Sequence, residues 1–167
     1  MFRVSQPRLL VMAFAASLAG SAYTAPAHAV DANVPFTSVV ASTCAVVLGV
    51  PGVMNANAAN TELDSANGTS GTAVITTTGT NFELSAIAPS DFTIKPPTYA
   101  GSTTFTATYS AGGATTLPSG AGGTARTLLP GVSTASVDLK AVSDSGPFHA
   151  GNYTAVVTVR CEAAGGA

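Results

Sequence analysis

Few residues of this 167-residue chain can do covalent or acid–base chemistry, and their spacing decides what kind. Two cysteines, Cys44 and Cys161, stand near opposite ends of the stretch that follows an N-terminal leader. A thiol acts as nucleophile, redox partner or metal ligand only with a histidine base, a nearby second cysteine or a ligand cluster. Beyond residue 29 there is one histidine, His149, in the turn-rich Gly146-Pro147-Phe148-His149, where an exposed loop position is expected. Neither a Cys–His pair nor a zinc cluster is supported. Glu62 and Asp64 are close in sequence, but in an Asn-, Ser- and Gly-rich segment they read as solvated rather than as a general acid and base. A weak Ca²⁺ site built from them with Asn60 or Asn67 lacks the dense Asp pattern of recognised loops. No serine sits in G-x-S-x-G, and phosphate-cradling and heptad patterns are missing. The expectation is a non-enzyme without catalytic, metal or cofactor-binding residues.

The leader decides what the cysteines do. Residues 1–29 carry a basic start (Arg3, Arg8), an apolar stretch from Leu9 to Ala19 and the small-residue exit Ala27-His28-Ala29, the three zones of a secretory signal peptide. The apolar stretch is about half of the roughly 20 residues a membrane-crossing helix needs, so cleavage before Val30 is expected, with no transmembrane anchor. An exported chain with an even pair of cysteines points to one structural disulfide, Cys44–Cys161. With the leader removed, four Lys or Arg face eight Asp or Glu, a formal charge of −4. That excludes a basic nucleic-acid footprint. So few charges also leave little electrostatic opposition to self-association.

Short β-type runs separated by turn residues fill residues 44–161, the pattern of an all-β antiparallel sandwich. The runs are Ser38–Leu48, Gly71–Thr77, Phe82–Ile87, Phe92–Ile94, Thr103–Tyr109, Thr124–Leu129, Ser136–Ala141 and Tyr153–Cys161. Alternation assigns inward rows: Phe105, Ala107 and Tyr109; Val137, Leu139 and Ala141; and Tyr153, Ala155, Val157 and Val159. Asn55–Gly71 and Ala111–Gly123 read as surface loops, and the tail 162–167 shows no β pattern.

The closing segment Gly151-Asn152-Tyr153-Thr154-Ala155-Val156-Val157-Thr158-Val159 resembles the final strand of pilin (fimbrial) subunits assembled by chaperone–usher systems, and the leader, size, low charge and early cysteine agree. The resemblance implies an immunoglobulin-like sandwich lacking its last strand, with an apolar groove beside Tyr153, Ala155, Val157 and Val159. A periplasmic chaperone fills that groove first. At an outer-membrane usher, the N-terminal extension of another subunit then replaces it by β-augmentation. Residues 30–43 supply a candidate donor strand, with Val30, Ala32, Val34 and Phe36 on one row and Asp31, Asn33, Pro35 and Thr37 on the other. Pro35 removes one ladder donor. The implied role is a structural subunit of a bacterial surface fibre, with a role in adhesion. Two alternatives stay open: a self-contained exported module that binds a glycan or a protein through its two long loops, and a small hydrolase. Tyr153 is also placed to make a tyrosine-corner bond to nearby backbone.

Overall fold

The computed structural model describes residues 32–165. The expected leader, Val30 of the donor row and the last two residues lie outside that range. Ala32–Thr37 falls in a unit of its own, forms no strand and is exposed. From Ser38 onward the chain is an antiparallel β-sandwich, with no helix among the described residues.

Its strands are β1 (Cys44–Leu48), β2 (Val53–Ala56), β3 (Glu62–Thr69), β4 (Gly71–Thr77), β5 (Phe82–Ile87), β6 (Thr103–Gly113), β7 (Leu117–Ala121), β8 (Arg126–Leu128), β9 (Gly131–Ser143) and β10 (Thr158–Ala163). The larger sheet is organised on β9. Its alternate residues Ser133, Ala135, Val137, Leu139 and Ala141 are buried, as a strand with one face on a core requires. β6 pairs along one edge of β9 and carries β7. Along the other edge β4 and then β3 follow end to end, with β1 beyond β4 and β2 beyond β3. The smaller sheet is β10-β5-β8.

The break between β3 and β4 falls opposite Asp138 and Leu139, which neither strand pairs. Ser65 fills it: its Oγ accepts the Leu139 N–H at 3.0 Å and donates to Asp138 Oδ1 at 2.9 Å, while Ser70 Oγ donates to the same oxygen at 2.5 Å. A hydroxyl can do both at once, so the buried backbone donor is satisfied where the ladder fails.

Between the sheets lies a core of Ala73, Ile75, Leu84, Ala86, Tyr109, Leu128, Ala135 and Val137. A second cluster of Leu63, Phe92, Tyr99, Ala141 and Phe148 fills one end. Tyr109 is 1% exposed, and its hydroxyl bonds the carbonyls of Leu84 (2.5 Å) and Thr124 (2.8 Å). Tyr109→Phe is therefore expected to cost about 1–3 kcal/mol, because a buried carbonyl loses its donor. A denaturant midpoint equal to that of the wild type would contradict this.

One flank of the sandwich is closed by backbone. Gly122 donates to Ala107 O on β6 and accepts from Ala86 N on β5, both at 2.9 Å, so a single residue bridges the two sheets. A Cβ there would run into Ala86 O, which is why the position needs glycine. On the same flank the Arg126 guanidinium lies 3.9 Å over the Tyr109 ring and donates to Tyr109 O and Pro118 O.

Several sequence expectations are corrected here. Asn55–Gly71 is mostly strand, since β3 and the end of β2 lie in it, and Ala111–Gly123 contains the end of β6 and all of β7. Most of their polar and glycine residues lie at the surface, while Ser65, Thr115 and Gly122 are buried against partners elsewhere in the chain, so pairing outweighs weak local propensity. Phe92–Ile94 makes a single bridge, Ile94 to Thr154. The first run shortens to β1. The last run is a regular strand only from Thr158, and it continues to Ala163 because Glu162 and Ala163 still pair with Glu83 and Phe82.

Candidate functional site

On the opposite flank, where β1 faces the last strand, no backbone bridge of the Gly122 kind is found among the described residues. Cys44 and Cys161 join this flank covalently, with their Cα atoms 6.3 Å apart and 117 residues between them in sequence. This is the disulfide expected from the leader and the even cysteine count.

Away from this bond the flank opens. β1 pairs with β4 in the register Cys44–Thr77, Val46–Ile75 and Leu48–Ala73. Directly opposed residues share a face, and Thr77, Ile75 and Ala73 are buried, so Val46 and Leu48 point towards the core. Yet they are 38% and 77% exposed. On the other lip the core-facing row of the closing segment, Tyr153, Ala155 and Val157 before β10 and Val159 on it, is only half-buried. Val157 and Val159 pack on the main core cluster, and Tyr153 and Ala155 on the aromatic one. Half-buried Met54 of β2 continues the β1 lip towards the aromatic end.

Each lip also has one edge without a partner strand among the described residues: β1 pairs with β4 alone and β10 with β5 alone. Among the described residues, Ala155–Val157 lies ahead of the β10–β5 pairing and makes no backbone hydrogen bond. Among the described residues, two edges without a further strand and two core-facing apolar rows that are only partly covered amount to the space of one missing strand.

The predicted rows fall as follows. The acceptor row Tyr153, Ala155, Val157 and Val159 is together on one lip. Of the donor row, Ala32, Val34 and Phe36 are exposed and outside any strand. Val46, Leu48 and Met54, which form the other lip, were missed; the alternation Cys44, Val46, Leu48 was the only available sign. The Tyr153 hydroxyl donates to His149 O at 3.0 Å, the tyrosine-corner bond expected of it, and burial pushes its pKa up. His149 is exposed.

The carboxylates serve the outer face of the larger sheet. Glu62 and Asp64 lie on β3 rather than in a loop, flanking Lys140 of β9, and Glu62 Oε2 is 2.7 Å from its ammonium. Glu62 first, with Asp64 adding to the field, holds the Lys140 pKa above its usual value. An ammonium thus already contacts Glu62, one of the two carboxylates suggested for Ca²⁺. Asp64 and Lys140 line a half-open depression of about 300 Å³ with Thr106, Thr108, Ser119 and Asp138. Among the described residues no three His, Cys, Asp or Glu side chains converge as metal ligands, and no helix is long and apolar enough to cross a membrane. In comparison with known proteins, no family model and no curated protein matches this chain.

Proposed function

We propose that this protein is an exported structural subunit of a surface fibre, and that its open flank is completed by the N-terminal segment of another copy. The observation that carries the reading is the pairing of complementary defects. A sandwich with core-facing Val46 and Leu48 exposed and Tyr153, Ala155, Val157 and Val159 only half-buried belongs to a chain whose residues 30–36 carry an apolar row of matching period.

β-Augmentation supplies the energetics: main-chain bonds extend the sheet at the free edge of the last strand, and alternate side chains enter the groove. Pro35 fits this arrangement. Successive residues of a strand turn their N–H groups to opposite edges, so a donor bonding the last strand through Val34 and Phe36 turns Pro35 towards the β1 side. The missing N–H then falls on the edge that carries the shorter partner. A periplasmic chaperone covering the groove before assembly, and an outer-membrane usher directing the exchange, belong to the same reading. The rival binding module is weakened, because both loops it would use are largely strand.

The test is the mass distribution of the mature protein from its own host on an unboiled, unreduced denaturing gel, with and without residues 30–43. Strand exchange gives a ladder of multiples that collapses on boiling or on the deletion. A single monomer band in every lane would overturn the reading.

A further inference from the structure

An exposed groove and an exposed donor on one chain raise a competition. A donor tethered to its own groove by a short flexible linker acts at an effective concentration on the order of millimolar, far above the micromolar level of other copies. Self-filling would then win and no fibre would form. Resting on the strand-exchange reading, we infer that the turn between β4 and β5 is an exit latch that prevents this, with Thr78 and Asn81 as its positioning residues.

The contacts are specific. Past Cys44, the chain continues along the turn instead of bending back. Thr78 N donates to Thr43 O at 3.0 Å, and Thr78 Oγ1 accepts from Thr43 N at 2.8 Å while donating to Ala41 O at 2.6 Å. Ser42 Oγ donates to Asn81 Oδ1 at 3.0 Å, and a Cβ on Gly79 would collide with that Ser42 hydroxyl. Asn81 O also accepts from Ala164 N, so the same turn holds the chain just past β10. Residues 41–43 are thereby held extended, at the disulfide end of the groove and directed away from it.

To enter its own groove the extension would have to reverse immediately before the latch, within Thr37-Ser38-Val39-Val40-Ala41. The tightest reversals that lay a strand back beside its own chain, the two-residue hairpin turns, need residues that accept positive φ, chiefly Gly, Asn or Asp. None is present, and Val39 and Val40 are β-branched, which disfavours such turns further. The latch and the absent turn chemistry act together to leave each groove to another copy.

The test supplies both missing elements in the mature chain: Thr78→Val to release the latch, with Val40→Asn and Ala41→Gly to allow the turn. The multimer-to-monomer ratio on an unboiled gel is expected to fall about a hundredfold at micromolar protein. The monomer should resist denaturant better than wild type lacking residues 30–43, and adding Phe36→Asp should remove that resistance. Restoring a hydroxyl with Thr78→Ser should recover part of the ladder. An unchanged ladder overturns the latch but leaves strand exchange standing, and so does a new monomer whose stability is indifferent to Phe36. A wild type with no ladder overturns both.

Discussion

Replacing Phe36 by aspartate is expected to abolish the multimer ladder while leaving the subunit folded. Phe36 is 93% exposed, so the fold of the single subunit does not depend on it, and far-ultraviolet circular dichroism should not change. In the proposed assembly the same ring enters an apolar groove. Burying a phenylalanine is worth about 1.5–3 kcal/mol, and a carboxylate placed there brings a desolvation cost of several kcal/mol more. At roughly 1.4 kcal/mol per factor of ten, the two together predict a loss of association of a thousandfold or more. A variant that gives the wild-type ladder would count directly against strand donation. One that loses its circular dichroism would instead place Phe36 in the subunit core, against its exposure.

The second large effect concerns stability. Removing the disulfide with Cys44→Ser and Cys161→Ser is expected to cost about 4–5 kcal/mol in the chain-entropy model, given the 117-residue separation. That is comparable with the entire net stability of a domain of this size. Structure adds a second reason. The closed flank keeps Gly122 and Arg126 as bridges between the sheets, whereas the open flank has no equivalent backbone bridge among the described residues. Urea unfolding of the variant, and of the wild type with reductant, should show the same large drop in midpoint. An unchanged midpoint would mean that packing alone holds the open flank.

The two effects are linked through the groove. The disulfide sits at the end where the extension leaves and where β1 and the last strand meet, so it fixes the spacing of the two lips without filling the space between them. A subunit built this way keeps its fold while its core stays incomplete along one side. The apolar area left uncovered is then available to drive association, which is the dominant favourable contribution in most protein–protein contacts.

How much of this was legible in the chain follows from what is local. Alternation along β6, β9 and the last strand is a property of neighbouring residues, so the inward rows Phe105–Tyr109, Val137–Ala141 and Tyr153–Val159 could be assigned from their period of two. The disulfide was expected from the even cysteine count together with the leader-like start of the chain, and it is present. Strand existence in Asn55–Gly71 and Ala111–Gly123 was not legible. Glu62, Asp64, Gly112 and Gly113 are strand residues because of what they pair with, and pairing partners are distant in sequence. The second lip at Val46 and Leu48 required the register against β4, which only the folded sheet supplies. Thr78 and Asn81 look like ordinary turn residues until Ala41, Ser42 and Thr43 are laid beside them. By itself the sequence determined that the chain forms strands, which faces are apolar and which two residues are covalently joined, because those are set by period and composition. Tertiary structure alone decided which edge was left open, what closed the other, and where the extension leaves, because these depend on contacts between segments tens of residues apart.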